Sequence, residues 1–365
     1  MALLLRIVRA ARKVHPPFGA GIRPLPMRGC AALAPNRCGM ARPRLLVLLA
    51  LTSLLAAGPA FARPSAAIFY YPWYGTAARD GAYLHWQQNG RRPPLDIASH
   101  YYPARGAYSS GDPRVLRAQM REIARAGIRQ VVVSWWGWGS IEDARLPKLL
   151  RAARAQGLDV AIHLEPYGGR TIGTVADDVA HLRSLGISDF YVYRPLDFRA
   201  AEWAQLASTL VGVRLFAQTA MVGFARLGGF AGVYTYDVLQ YGGDDFGRLC
   251  GEAHRAGLLC APSVGPGYDA ARATGDTRVK PRRHGLTYDA MWSAALRARP
   301  DLVTITSYNE WSEGTQIEPA KPEPAAGAYL SYDGAWGRHG RAASRAYLWR
   351  TACWTAVLAR RVKRC

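Results

Sequence analysis

The first 62 residues contain no Asp or Glu, against nine Lys and Arg. A stretch with no negative charge and few strand or helix caps does not read as part of a folded domain. It accounts for nine of the chain's formal +21 charges, leaving +12 on residues 63–365. Several other signals are missing. No apolar run reaches the length of a membrane span; the longest, Leu45–Ala57, is too short. No G-x-G-x-x-G follows a strand pattern, which argues against a dinucleotide fold, and no G-x-S-x-G elbow appears. Basic residues form no long run apart from Arg360-Arg361-Val362-Lys363-Arg364, so a nucleic-acid partner is not expected. His85 and His163 stand alone without metal-ligand spacing, and no metal or other cofactor is expected.

What is present begins with a processing signal. Arg42 and Arg44 precede the apolar run, and Ala60-Phe61-Ala62 follows it as a small-residue cleavage site. The arrangement predicts a signal peptide over 40–62, behind an over-extended N-terminus at 1–39, with a mature chain from Arg63 that is secreted or periplasmic and keeps no stable membrane span. Four cysteines remain in that chain: Cys250, Cys260, Cys353 and Cys365. An oxidising compartment allows two disulfides, whose pairing spacing does not decide.

Half of the residues are apolar, with 11 Trp and 19 Tyr, enough to build a large core and leave rings over for stacking on sugars. Short β-branched or aromatic runs alternate with helical patterns, which argues for parallel strands joined by crossover helices. Eight such runs predict strands at Ala67–Tyr71, Gln130–Trp135, Asp159–Leu164, Asp189–Tyr193, Val213–Gln218, Gly232–Tyr236, Leu258–Ser263 and Leu302–Ser307. Between them, Asp112-Pro113 opens a helix that carries Leu116, Met120 and Ile123 on one face and ends at Gly127. Further helical patterns run through Leu146–Gln156, Val175–Leu185, Ala200–Leu210, Phe246–Ala256 and Thr287–Ala298. Eight strands alternating with helices predict an α/β fold, a (β/α)8 TIM barrel forming one domain over 63–365.

Barrel enzymes carry their sites at the C-terminal ends of the strands. The last strand runs into Ser307-Tyr308-Asn309-Glu310-Trp311-Ser312-Glu313-Gly314-Thr315-Gln316-Ile317-Glu318. Paired carboxylates suit glycosidic cleavage, where one group protonates the leaving oxygen and another acts as base or nucleophile. A third acid, Glu165, ends another strand, and aromatic residues recur at the same face: Tyr70, Tyr71, Trp73, Tyr74, Trp135, Trp136, Tyr234 and Tyr236.

Phe69-Tyr70-Tyr71-Pro72-Trp73-Tyr74-Gly75, Glu165-Pro166-Tyr167, Pro262-Ser263-Val264-Gly265-Pro266-Gly267-Tyr268 and the Asn309–Glu318 stretch resemble glycoside hydrolase family 99, the endo-α-1,2-mannosidases and endo-α-1,2-mannanases. The resemblance runs in order from about Ala67 to Tyr332 and implies a metal-independent barrel that cleaves within α-mannoside oligo- or polysaccharides with retention. It assigns Glu310 as base on the substrate's own 2-hydroxyl and Glu313 as general acid. Sugar contacts would fall to Glu165, Tyr71, Trp135, Tyr234, Tyr236, Arg272 and Asn309. Two positions depart from the family pattern: Gly168 stands where familiar members carry Lys, and Ser312 where the animal enzymes carry His. The competing readings are a carbohydrate-binding barrel without turnover and a hydrolase of the same fold acting on a different α-glycan.

Overall fold

A computed structural model describes residues 64–323 and 329–365, so the segments expected at 1–39 and 40–62 lie outside the described residues. Nine parallel strand segments close into a barrel: β1 Ser65–Tyr70, β2 Gln130–Trp135, β3 Asp159–Leu164, β4 Asp189–Val192, β5 Arg214–Gln218, β6 Gly232–Tyr234, β7 Leu259–Ala261, β8 Ser263–Val264 and, further along the chain, β11 Leu302–Ile305. A small antiparallel hairpin, β9 Tyr268–Asp269 and β10 Val279–Lys280, lies between β8 and β11. Closure comes from β1 pairing with β11, Ser65 opposite Leu302 and Ile68 opposite Ile305.

The expected strand Leu258–Ser263 is broken in two at Pro262, which has no N–H to give to a ladder. β7 pairs with β6 and β8 with β11, while the Pro262 carbonyl still accepts from Thr304 N at 3.1 Å. The two pieces therefore serve as one stave, and the barrel has the eight staves expected of it.

Phe69 of β1 occupies the middle of the barrel, its ring centroid 4.7 Å from His163, 5.9 Å from Tyr191, 5.7 Å from Tyr234 and 4.9 Å from Tyr236. An aromatic filling needs partners for its polar tips. Tyr191 OH donates to Gln130 Oε1 at 2.9 Å, Gln130 Nε2 donates to Asp189 Oδ2 at 2.7 Å, and Asp189 is gripped twice by Arg214. Gln130, Asp189 and Arg214 begin their strands, so they seal the N-terminal mouth. Rings of this size also need a gap. A Cβ on Gly232 would lie 2.7 Å from the Leu259 carbonyl oxygen and 2.8 Å from the Phe216 ring, so only glycine fits.

Outside the barrel, Asp112 caps the helix Pro113–Arg125 by accepting from Arg114 N at 2.8 Å, and Leu116, Met120 and Ile123 are buried as their spacing required. The next helix starts at Ile141 rather than Leu146, because Ser140 caps it and Pro147 is absorbed inside. The helices Val222–Leu227 and Ala346–Leu358 were not anticipated. Ala346–Leu358 completes the outer layer: Trp354 stacks on Trp292 with centroids 6.1 Å apart, and Thr355 Oγ1 donates to the Ala126 carbonyl at 2.8 Å. Disulfides join Cys250 to Cys260 and Cys353 to Cys365, the pairing that spacing left open. Among the described residues no helix is long and apolar enough to cross a membrane.

Candidate active site

β11 ends at Ile305, and the chain from Ser307 to Glu318 folds back over the C-terminal mouth as a tied loop. Ser307 N donates to the Thr315 carbonyl at 2.9 Å and Ile317 N to the Ser307 carbonyl at 3.0 Å, while Ser307 Oγ accepts from Glu310 N at 2.8 Å. Gly314 turns the loop at φ +65°, where a Cβ would meet the Asp269 carbonyl oxygen at 3.0 Å. From below, the guanidinium of Arg282 sits among the rings of Tyr101, Tyr332 and Tyr347 at 4.7, 4.8 and 4.7 Å and donates to the carbonyls of Gly314 and Gln316 at 2.8 and 2.7 Å. Glu318, deeply buried, accepts from Tyr108 OH, Gln119 Nε2 and Trp311 Nε1, so it anchors the far end of the loop.

This loop carries Glu310 and Glu313 to a mouth shared with Glu165. Glu310 is almost fully buried, and its carboxylate accepts a hydrogen bond from Ser312 Oγ. Burial, and then the nearby Glu313 charge, push its pKa well above the carboxylate range. Glu313 is partly exposed, and its carboxylate has no hydrogen-bond partner among the described residues. Burial raises it to about 7, helped by the carboxylates of Asp237, Glu165 and Asp276 and opposed by Arg278. Glu165 is held by Ser134 Oγ at 2.8 Å and lies 2.8 Å from His163 Nδ1, whose Nε2 is 2.9 Å from Tyr234 OH. Two neighbouring carboxyl groups, one buried and one partly exposed, resist joint ionisation, so the pair loses its first proton well above the usual carboxylate range.

Tyrosines surround them. Tyr71 and Tyr236 are hydrogen-bonded hydroxyl to hydroxyl, and both phenols are pushed up, first by burial and then by surrounding charge that includes all three glutamates. Tyr236 has φ +55°, a left-handed conformation that a bulky side chain rarely adopts. It is clamped there: its N–H donates to Ser263 Oγ at 2.7 Å and its carbonyl accepts from Thr306 Oγ1 at 3.0 Å. Backbone strain held by such over-determined bonding is characteristic of functional sites.

The sequence profile of glycosyl hydrolase family 99 matches residues 64–360. The chain belongs to glycoside hydrolase family 99. It is an endo-α-mannosidase-like glycoside hydrolase. It is 35% identical over 326 residues to the glycoprotein endo-α-1,2-mannosidase-like protein of Danio rerio, covering 73% of each chain. It is 30% identical over 322 residues to the glycoprotein endo-α-1,2-mannosidase of Mus musculus, covering 72% of this chain and 70% of the relative. Its fold is similar to that of the family 99 endo-α-mannosidase of Bacteroides thetaiotaomicron, with a TM-score of 0.73 at 29% identity, covering 81% of this chain and 98% of the bacterial one.

In this family 99 barrel the expected site residues divide. Glu310, Glu313, Glu165, Tyr71 and Tyr236 share the mouth. Trp135 does not: its ring is wholly buried, turned to the helix layer, with Nε1 donating to Asp143 Oδ1 at 3.1 Å. Adjacent strand residues face opposite sides, so Ser134 faces the mouth and Trp135 cannot. Tyr234 points inward but lies fully buried under His163, forming floor rather than contact surface. Asn309 is also buried, its amide committed to Tyr71 N at 2.8 Å, Tyr71 O at 2.9 Å and Tyr108 OH at 3.2 Å, so it positions Tyr71. Arg272 binds Asp96 Oδ1 at 2.5 Å and lies over Tyr329 at 4.7 Å, tying the long loop after β1 to the segment after β9.

Other residues join the site without having been anticipated. Tyr193 packs at 5.3 Å against Tyr236, and Asp237 and Tyr268 flank Glu313. The β9–β10 hairpin explains the last of these, since Asp269 N donates to the Glu313 carbonyl at 2.8 Å. At Gly168 a Cβ would meet nothing within 4 Å. A hollow of about 910 Å3 at the N-terminal mouth is lined by Gln130, Asp189 and Arg214, already paired with one another.

Proposed function

We propose that the chain is a retaining endo-acting hydrolase of α-mannosidic linkages, of the α-1,2 type that the relatives' names carry, with mannan or mannose-containing glycans as substrate. The observation that carries the reading is the Glu310–Glu313 pair, set among tyrosines and other carboxylates so that both resist ionisation. A binding module has no need of that electrostatic strain.

The mechanism follows from the pair's ionisation. In the singly protonated state, Glu310 as carboxylate takes the proton of the sugar 2-hydroxyl while that oxygen attacks the anomeric carbon and the glycosidic C–O bond breaks. Glu313 gives its proton to the departing oxygen. A water, deprotonated by Glu313, then opens the 1,2-anhydro ring at the anomeric carbon, and Glu310 returns the proton to O2. Two inversions give net retention. Which carboxyl holds the proton before the sugar arrives does not alter the rate law, because both arrangements have the same net protonation. Tyr71 and Tyr236 supply hydroxyls at the same mouth, and Ser312 steers the Glu310 carboxylate.

Incubation with a panel of α-mannans and glucosylated mannosides, with the products identified by mass, tests the substrate reading. Internal cleavage of α-1,2-mannosides supports it, and release of product only from another α-glycan refutes it. We also propose export with processing after Ala62; the disulfides Cys250–Cys260 and Cys353–Cys365 suit an oxidising compartment. A mature N-terminus at Arg63 is the expected result of sequencing exported protein.

A further inference from the structure

Between the helices Pro113–Arg125 and Ala346–Leu358 lies a hollow of about 340 Å3, lined among others by Arg105, Arg121, Glu122, Arg125, Arg345 and Trp349. None of the three glutamates of the mouth lines it. Its volume falls at the lower end of the range for small-ligand sites, roughly 300–1,000 Å3. Four guanidinium groups face one carboxylate there, and that carboxylate is already committed. Glu122 Oε1 lies 2.7 Å from Arg105 and accepts from Arg345 at 3.0 Å, while Oε2 accepts from Tyr308 OH at 2.7 Å. Arg105 also reaches inward to Glu318 Oε1 at 3.2 Å.

Arg121 and Arg125 have no such counterpart. Both are exposed, and neither side chain makes a hydrogen bond or ion pair with any described residue. They stand one turn apart on the same helix face, with Arg117 a further turn back, and like charges at that spacing repel instead of supporting the helix. The carbonyls at the helix C-terminus attract Arg125, but Arg121, a turn earlier, gains little from them. Exposed arginines ordinarily spread into water from a convex surface. These two share a concave one, whose low-dielectric walls concentrate their field. Forked guanidinium donors match the oxygens of phosphate and sulfate. On the other wall Trp349 is 44% exposed, and Arg338 lies over its ring at 4.6 Å, which steadies the indole while leaving part of it open to a sugar ring.

We propose that this hollow is a second binding site, which takes a phosphate or sulfate group carried on a sugar: Arg121, Arg125 and Arg345 hold the oxyanion, and Trp349 packs on the ring that bears it. The site stands independently of the mannoside reading, since its ligand is recognised by charge at residues outside the mouth.

Calorimetric titration at fixed ionic strength tests it with four probes: inorganic phosphate, glucose 6-phosphate, glucose, and vesicles of phosphatidylcholine and phosphatidic acid in equal parts. Wild type is compared with Arg121→Gln/Arg125→Gln, with Trp349→Ala, and with Arg114→Gln/Arg117→Gln, which removes the same charge from the same helix outside the hollow. Wild type is expected to bind glucose 6-phosphate saturably, inorganic phosphate roughly three- to tenfold more weakly, and glucose not at all. Arg121→Gln/Arg125→Gln should weaken glucose 6-phosphate by about tenfold or more, while Arg114→Gln/Arg117→Gln stays within about twofold of wild type. Trp349→Ala should bring glucose 6-phosphate down to the level of inorganic phosphate. Equal losses in the two double variants would show attraction to net charge rather than to the hollow and overturn the site, as would the absence of saturable binding of either soluble phosphate. Equal affinity for the two soluble phosphates in wild type would overturn it as a sugar-phosphate site. Vesicle binding without glucose 6-phosphate binding would replace it with a membrane-facing basic surface, whereas vesicle binding displaced by glucose 6-phosphate would support it and make a lipid headgroup one source of the phosphate.

Discussion

Replacing Glu313 with glutamine should make the protein more stable at alkaline pH while removing its activity. Glu313 has its pKa raised from 4.5 to about 7, mainly by burial. A carboxyl with a raised folded-state pKa leaves stability intact below its unfolded value, and that stability is lost as pH rises through the folded value. Here the window runs from pH about 4.5 to about 7. At about 1.4 kcal/mol per pKa unit the full penalty is about 3 kcal/mol, and partial solvent access trims it to about 2 kcal/mol. Glutamine occupies the same volume without charge, and its neutrality also relieves Glu310, whose own pKa the Glu313 charge raises. For a domain of this size about 2 kcal/mol corresponds to a rise in Tm of about 5 °C. Thermal melts at pH 4, 6 and 8 should show no difference at pH 4 and the full gain at pH 8. A variant that melted at or below wild type at pH 8, or with a difference independent of pH, would refute the electrostatic account of the site.

Activity should carry the same signature: kcat/KM is expected to rise with pH through about 7 as the carboxyl pair loses its first proton, and a rise centred near 4.5 in a pH-rate profile would contradict it. Arg282→Met leaves the Gly314 and Gln316 carbonyls without their donor, so it should destabilise the fold by about 2–4 kcal/mol in urea unfolding and lower kcat more than it raises KM. Wild-type Tm together with wild-type kcat would show that the tyrosine-caged arginine does not hold the loop. Dialysis against a strong chelator should leave turnover unchanged, and loss restored by one divalent ion would overturn the acid/base mechanism.

The barrel was legible because β-branched runs such as Gln130–Trp135 and Asp159–Leu164 are bounded by helix caps and turn glycines, and both strands form as read. Pro262 is the exception that chain chemistry could have flagged, since proline cannot donate to both neighbours of a central stave. Ala346–Leu358 escaped because it is apolar around most of its circumference and opens without a capping side chain, so neither periodicity nor a start signal marks it. At the site, motif position found the carboxylates but not the facing of the rings. Counting alternation along β2 from Ser134 would have turned Trp135 outward, whereas the role of Tyr193 depends on Tyr236 adopting a left-handed backbone. Burial of Asn309 and Tyr234 is a tertiary fact, set by Tyr71, Tyr108 and His163 arriving from other strands and loops.

The central claim is that Glu310 and Glu313 cleave an α-mannoside with participation of the substrate's own 2-hydroxyl. Proton NMR of the first product formed from an α-1,2-mannan oligosaccharide, run beside its analogue lacking that hydroxyl at the cleaved sugar, tests it most directly. The account predicts the α-anomer first from the native oligosaccharide and no turnover of the deoxy analogue, although the analogue still binds. Initial appearance of the β-anomer, or efficient cleavage of the deoxy analogue, would contradict it.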